Sequence, residues 1–287
     1  MVVVNLGISF SGKNLAIKYR EDIKLFVESR KLKGLSIPCL ATILVGGDGG
    51  SIFYINNQIK LCQELGILSE KIILEENISE EKLLELIETL NEDHTVSGIM
   101  LQVPLPKHLN EKTIVSRINP KKDIDGLTDV NTGRFYNGGK CFIPCTPKAI
   151  IEILKSQGDS IMGKHAVIIG RSNIVGKPVA QLLLNASATV TICHSKTVDL
   201  KKICREADIL VVAMGKPNFI TSDYIKEGAI VIDVGTTRLN GKITGDVLFE
   251  DVIEKAAFVT PVPGGVGTVT TTMLLKNVCE AVDLYVY

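Results

Sequence analysis

Apolar and polar positions along this chain follow two alternating periods. Over residues 12–31, Leu15, Ile17, Ile23, Leu25, Phe26 and Val27 recur among polar side chains, which predicts an amphipathic helix. Pro38-Cys39-Leu40-Ala41-Thr42-Ile43-Leu44-Val45 is a short continuous apolar run, the pattern of a buried strand. A glycine-rich loop, Gly46-Gly47-Asp48-Gly49-Gly50, leads to Ser51, the expected cap of a helix reaching about Gly66. Lys71-Ile72-Ile73-Leu74 and Gly98-Ile99-Met100-Leu101-Gln102-Val103 predict two further strands, the second stopped by Pro104 and Pro106. Ser79 opens a helix between them. Strands alternating with helices predict parallel α/β architecture.

The rhythm changes at Asn119-Pro120-Lys121-Lys122-Asp123-Ile124-Asp125-Gly126, a polar, turn-rich stretch. It changes again at Ile143-Pro144-Cys145-Thr146-Pro147, before a helix near 147–156 that holds the expected domain junction. A second α/β run follows, with strands at 165–170, 188–193, 208–213 and 229–234 and helices at 175–185, 199–206 and 221–227. This is the βαβ rhythm of a doubly wound dinucleotide-binding domain. It closes at Pro261-Val262-Pro263-Gly264-Gly265-Val266-Gly267, and a long apolar helix over about 269–285 is expected to return to the first domain. The predicted domains are 1–146 plus 268–287, and 147–267.

A chain of 287 residues has room for one large or two medium domains. Lys plus Arg and Asp plus Glu both number 32, so the net charge is zero and gives no argument for nucleic acid or an anionic membrane as partner. No apolar stretch reaches spanning length, and the first seven residues lack the basic region and apolar length of a signal peptide. The seven cysteines are scattered, and no His stands beside the Cys141/Cys145 pair at ligand spacing. That pattern predicts free thiols in a reducing cytoplasm and no metal site.

Ala166-Val167-Ile168-Ile169-Gly170 runs from apolar strand to glycine, and Arg171-Ser172-Asn173-Ile174-Val175-Gly176-Lys177-Pro178 opens onto a helix. Strand, tight turn and helix N-terminus make an anion site, because unpaired N–H groups and the positive end of the helix dipole face one point. The Gly-x5-Gly spacing is not the dinucleotide fingerprint, so taken alone the stretch fits an ordinary strand–turn–helix equally well. In a Rossmann unit the end of the second strand meets the adenosine ribose, and a carboxylate there selects NAD. Here Thr189–Cys193 is followed by His194-Ser195-Lys196-Thr197, with no carboxylate. Arg171 carries the planar fork that suits a doubly charged phosphate, while Ser195 and Lys196 or His194 add a hydroxyl and positive charge. NADP is therefore the expected cofactor; for Arg171 and Lys196 the competing reading is a pair of solvated surface charges. In the first half, Ser51-x-x-Tyr54, Gln102 and Asp123/Asp125 stand at the ends of three elements, where ligands gather in open α/β sheets. Taken singly, each also fits a structural role: a packing aromatic, a strand-end cap, and an Asx turn before Gly126.

Together these segments resemble the methylenetetrahydrofolate dehydrogenase/cyclohydrolase family. The likeness spans nearly the whole chain, through Ser51-x-x-Tyr54, Gly98 to Pro106, Pro120-x-Lys122-Asp123-Ile124-Asp125-Gly126, Pro144-Cys145-Thr146-Pro147, Gly170-Arg171-Ser172-x-Ile174-Val175-Gly176-x-Pro178, His194-Ser195, Asp233-Val234-Gly235, Gly245-Asp246-Val247 and Pro261 to Gly267. The resemblance implies two α/β domains flanking a cleft, the second a Rossmann-like NADP domain, in a cytoplasmic homodimer. Its implied substrate is 5,10-methylenetetrahydrofolate. It implies that Tyr54 lies against the folate ring system, Gln102 is hydrogen-bonded within the site, Asp125 pairs with pterin nitrogens, and Pro263 and Gly264 line the folate site. Gly170, Arg171, Ser172, Ser195 and Thr236 are the implied cofactor residues.

One departure bears on the chemistry. The family carries a lysine four residues after this tyrosine, one helical turn on; here that position is Gln58. Lys60 lies six residues after Tyr54, about 240° round a helix. Hydride transfer needs positioning more than a base, whereas hydrolysis of the methenyl bridge needs proton transfers that glutamine does not supply. The sequence thus predicts a dehydrogenase with weak or absent cyclohydrolase activity. Competing readings are the full bifunctional enzyme, another oxidoreductase on the same plan, and a non-catalytic folate- or NADP-binding protein. Smaller departures from the family pattern are Asp48-Gly49-Gly50, Thr236-Thr237 and Thr268-Val269.

Overall fold

A computed structural model of the chain describes residues 7–47, 49–158 and 160–284. The expectations about the first six residues and Asp48 lie outside the described residues. In chain order the elements are β1 (Ile8–Ser9), α1 (Gly12–Leu32), β2 (Cys39–Val45), α2 (Gly49–Leu65), β3 (Leu68–Leu74), α3 (Glu80–Glu92), β4 (Gly98–Leu101), α4 (Glu111–Ser116), α5 (Asp129–Tyr136) and α6 (Cys145–Ser156). They continue with β5 (His165–Ile169), α7 (Gly176–Asn185), β6 (Thr189–Cys193), α8 (Leu200–Cys204), β7 (Ile209–Val212), β8 (Ile230–Asp233), β9 (Thr237–Leu239), β10 (Lys242–Thr244), α9 (Phe249–Val252), β11 (Phe258–Val259) and α10 (Val266–Leu284). The chain divides into two compact units. One holds the residues up to Ile17 and Thr146–Thr270; the other holds Lys18–Cys145 and the residues from Thr271 on.

The unit of residues 18–145 is built on a parallel three-stranded sheet, β3-β2-β4. Its central strand, β2, is buried from Leu40 to Val45, and a strand covered on both faces carries an unbroken apolar run rather than an alternating one. Pairing along the whole of β2 draws in residues 68–74, so β3 begins three residues before the apolar stretch that announces it. Leu83, Ile87 and Leu90 form the buried stripe of α3 and pack with Ile43, Ile99 and Leu101. Ser79 caps α3 by accepting from the Lys82 N–H. Ser51, by contrast, lies inside α2, which starts at Gly49. In the same unit α10 reaches the 124–143 segment: Asn277 Nδ2 donates to Ile124 O at 2.7 Å and Ile143 O at 3.1 Å.

The other unit is a six-stranded, all-parallel sheet in the order β1-β11-β8-β7-β5-β6. The chain leaves β5 for β6 on one side and returns to β7 on the other. This creates a topological switch point at the carboxyl end of β5, where open α/β sheets bind ligands. The sequence reading puts residues 1–146 in the first domain, but β1 pairs in parallel with β11 and extends this sheet instead. The helix expected at 221–227 is reduced to a single 3₁₀ turn, Ser222–Tyr224. The physical reason is a tertiary contact: the Ser222 N–H and Oγ both donate to the carboxylate of Asp251, 29 residues on, at 2.6 and 2.9 Å. The β9–β10 hairpin turns at Asn240-Gly241, both with positive φ, which is the Asn-Gly signal of a two-residue hairpin loop.

Candidate active site

Tyr54 stands half-buried on α2. Its hydroxyl is hydrogen-bonded with Thr271; burial pushes the phenol above its ordinary range, and the nearby Asp125 and Cys145 add to the rise. Asp125 follows an ordered turn. Asp123 accepts from Leu127 N (3.0 Å), Thr128 N (2.8 Å) and Asn131 Nδ2 (2.8 Å), and is itself 2% exposed, so it organises the loop rather than facing a ligand. Lys122 closes the C-terminal end of α3, donating to Leu90 O and Asp93 O at 2.7 and 2.6 Å. Asp125 Oδ1 takes the Cys145 N–H at 3.3 Å, while its Oδ2 has no hydrogen-bond partner among the described residues.

Gln58 is four residues after Tyr54, but its side chain turns onto the sheet and is 0% exposed. Its Nε2 donates to Met100 Sδ at 3.1 Å, and its Oε1 has no partner. Lys60, in contrast, is exposed. Thr42 is the register partner of Met100 across β2 and β4, and its Oγ1 is also buried and unpartnered. Gln102, two residues beyond Met100 and so on the same face, donates from Nε2 to Val103 O at 3.1 Å, with its buried Oε1 unpartnered. Buried polar atoms without partners are rare and each costs roughly 1–3 kcal/mol. By register and alternation Thr42 Oγ1 and Gln102 Oε1 belong to the face of the sheet that carries Met100, the partner of Gln58, and the side chain that would best complement such unpartnered oxygens is an ammonium, with three donors and no acceptor. The sequence places glutamine there instead.

At the switch point, Gly170 has φ +139°, and a Cβ there would lie 2.3 Å from Ala213 O. A Cβ on Gly176 would lie 2.2 Å from Gly170 O. The five-residue spacing thus brings backbone onto backbone at the start of α7. One expectation needs correction: the helix N-terminus is not bare, because Ser172 Oγ accepts from Val175 N (3.2 Å) and Gly176 N (3.3 Å). Among the described residues, the N–H groups of Arg171, Asn173 and Ile174 donate to nothing, which leaves the loop itself as the anion cradle. Arg171, Ser195 and Lys196 are exposed, as are Thr236, Pro263 and Gly264. Gly264 O receives the Gly12 N–H at 2.9 Å, which ties the loop before α10 to the start of α1.

A buried carboxylate pair under this rim has no role in the sequence reading, although Asp233 and Asp246 both stand in quoted motifs. Asp233 ends β8 and accepts from Gly235 N (2.9 Å), Asp246 N (3.0 Å) and Val247 N (3.0 Å). Asp246 Oδ2 accepts from Met214 N (2.7 Å) and Gly215 N (2.9 Å) in the loop after β7. The flanking glycines were the available signal: a Cβ on Gly245 would fall 1.9 Å from Asp233 Oδ2, and one on Gly235 2.5 Å from the Asp246 carboxyl carbon. Among the described residues no group of His, Cys, Asp and Glu could hold a metal ion, and no helix is long and apolar enough to cross a membrane.

The chain is similar to known proteins over almost its whole length. The tetrahydrofolate dehydrogenase/cyclohydrolase catalytic domain matches residues 10–125, and the NAD(P)-binding domain of the same family matches residues 144–285. The bifunctional protein FolD of Clostridium tetani is 59% identical over 275 residues, covering 96% of this chain and 99% of its own. The crystal structure of the bifunctional FolD methylenetetrahydrofolate dehydrogenase/cyclohydrolase from Campylobacter jejuni superimposes with a TM-score of 0.93 at 47% identity, covering 96% of this chain and 98% of that one. The Trypanosoma brucei methylenetetrahydrofolate dehydrogenase–cyclohydrolase, complexed with NADP cofactor and inhibitor, gives a TM-score of 0.93 at 36% identity, over 97% and 98% of the two chains. With both domains of the family matched over most of residues 10–285 and relatives near 60% identical along almost their whole length, this chain belongs to the tetrahydrofolate dehydrogenase/cyclohydrolase family.

Proposed function

We propose that the chain is an NADP-linked 5,10-methylenetetrahydrofolate dehydrogenase of one-carbon metabolism, with little or no methenyltetrahydrofolate cyclohydrolase activity. The observation that carries the second half is Gln58: a neutral amide, fully buried against Met100, in the place where the family resemblance calls for a lysine. The preference for NADP is supported by the carboxylate-free turn after β6 and by the exposed Arg171, Ser195 and Lys196. The NADP carried by the trypanosomal relative agrees with it. The Gly170–Gly176 approach packs backbone onto backbone, which closes the turn that carries the unpaired N–H groups.

In this reading Gly170, Arg171, Ser172, Ser195 and Thr236 hold the cofactor, and Pro263 and Gly264 border the folate. Tyr54 lies against the pterin, Gln102 steadies it, and the unpartnered Oδ2 of Asp125 accepts from pterin nitrogens, a carboxylate meeting donors. Bound NADP supplies the hydride acceptor, C4 of its nicotinamide. The chain contributes orientation, since the product cation is shared by two folate nitrogens and no protein base is required. Hydrolysis is different. It needs a group that moves protons near neutral pH, and losing one general acid–base costs about 10²–10⁴-fold. The protein acts, in the same proposal, as a cytoplasmic homodimer: seven free cysteines fit a reducing compartment, and the dimer is what the family resemblance implies.

The relatives carry bifunctional names, which describe those proteins, and one experiment separates the two readings for this chain. NADPH formation and methenyl loss are followed separately on one preparation. NADPH formation at an ordinary enzymatic rate with methenyl loss near the spontaneous rate is the expected result; enzymatic rates for both would establish the bifunctional enzyme.

A further inference from the structure

The Asp233–Asp246 pair poses an electrostatic problem that hydrogen bonding alone does not solve. Asp233 is 3% exposed and Asp246 is 0% exposed, and among the described residues neither forms an ion pair. Asp246 Oδ2 satisfies two backbone N–H groups, which an asparagine oxygen does equally well. The second oxygen, Oδ1, is buried with no partner. A neutral asparagine would keep both bonds without the cost of burying a charge, several kcal/mol in general. The two acids also feel each other: burial first, and then Asp246, push the Asp233 carboxyl up to about 6. A buried carboxylate with no ion partner of its own is left to interact with a cation bound nearby.

Topology says which cation. The switch-point loop and the end of β6 take the pyrophosphate and the adenosine half of a dinucleotide, so the other mononucleotide falls over β8 and β11. Asp233 ends β8, and Asp246 fastens the loop between β7 and β8. We propose that the Asp233–Asp246 pair selects the oxidised cofactor: its buried negative charge favours NADP⁺, whose nicotinamide ring is cationic, over NADPH, whose ring is neutral. This inference rests on the NADP-linked dehydrogenase reading above. In that reaction the C–H bond breaks at the methylene carbon with its electron pair, and the new C–H bond forms at C4. The positive charge therefore leaves the nicotinamide for the folate bridge. A fixed anion on the nicotinamide side holds the reactant cofactor and releases the product cofactor.

The test is a pair of binding titrations, NADP⁺ and NADPH, by fluorescence on the unaltered chain and on Asp246→Asn. Asparagine keeps the shape, accepts both N–H groups and sets its NH₂ where the unpartnered oxygen was. A unit charge ~10 Å from the ring, at an effective dielectric of ~20, changes affinity roughly tenfold. The unaltered chain should bind NADP⁺ at least as tightly as NADPH, and Asp246→Asn should weaken NADP⁺ about tenfold relative to NADPH. A merely structural role would weaken both alike, and an unchanged ratio overturns the proposal. Should Asp246→Asn fail to fold, the unaltered chain decides: NADPH binding several-fold tighter than NADP⁺ overturns it as well. If neither nucleotide binds the unaltered chain, the cofactor reading fails and takes this inference with it.

Discussion

Gln58→Lys is the substitution whose outcome the structure constrains most. The side chain is fully buried, and the face beside it carries two more unpartnered oxygens, Thr42 Oγ1 and Gln102 Oε1. Supplying donors to those two oxygens recovers about 2–6 kcal/mol, at roughly 1–3 kcal/mol each. Desolvating an ammonium costs several kcal/mol in the other direction. The terms nearly cancel, so the variant should fold with a net loss of about 1–3 kcal/mol. Its lysine should titrate below the ordinary value of about 10.4, which is what a proton carrier near neutral pH requires. The sign of the pH dependence follows. The unfolded lysine holds its proton up to about pH 10.4 while the folded one releases it earlier, so the unfolded state binds more protons and stability rises with pH. Urea melts of variant and parent at pH 6 and pH 9 should show the larger cost at pH 6. Methenyl hydrolysis should rise by about 10²–10⁴-fold over the parent, with NADPH formation little changed. The refuting result is a variant that shows the pH-dependent cost of a buried lysine and still hydrolyses no faster than the parent. A general base would then be in place without the chemistry, and Gln58 would not be the reason for a missing cyclohydrolase.

Three other outcomes are expected. Arg171→Ala should raise the NADP dissociation constant about 10- to 100-fold, the worth of a charge-assisted hydrogen bond of ~1.5–3 kcal/mol, and leave NAD binding unchanged; a titration of both nucleotides checks it. Asn277→Leu strips the donor from Ile124 O and Ile143 O, and should cost about 2–4 kcal/mol in urea melts and raise the folate KM through the displaced Asp125 loop. Asp233 has its folded pKa raised to about 6, above the unfolded value near 3.9, so its contribution falls as pH rises from about 4 to 6 and is flat above, a loss of about 3 kcal/mol. Asp233→Asn should remove that slope from a stability–pH profile, and a slope unchanged by the substitution would show that other groups cause it.

How much of this was legible in the sequence depended on whether the signal was local. The α3 cap, the apolar run of β2 and the strand–turn–helix at Gly170 rest on neighbours within a few residues, and they stand where the pattern puts them. The Asn240-Gly241 turn was equally local and its hairpin went unread. The edge strand β1 is two residues long and owes its conformation to the open side of β11, so nothing in its own sequence announces it. The helix expected at 221–227 gives way to a 3₁₀ turn whose first residue, Ser222, is held by Asp251, 29 residues away.

The unpartnered oxygens on the Met100 face belong to the same non-local class, and register explains why. Thr42 shares a face with Met100 only because Leu40 pairs with Gly98; a slip of one residue along β4 would turn Met100 and Gln102 to the opposite face from Thr42. The sequence shows a glutamine where the family resemblance implies a lysine, and that difference alone is equally compatible with a site rebuilt around the amide. The hydrogen bonding around that face bears on the choice. A rebuilt site would have paired the new amide, whereas here Gln58 Oε1, Gln102 Oε1 and Thr42 Oγ1 all remain without donors, and the one bond formed is to a thioether, a weak acceptor. Unpartnered oxygens of this kind are what the proposed absence of an ammonium would leave behind. For that reason a single lysine, with no supporting substitution, is expected to be enough to test the loss.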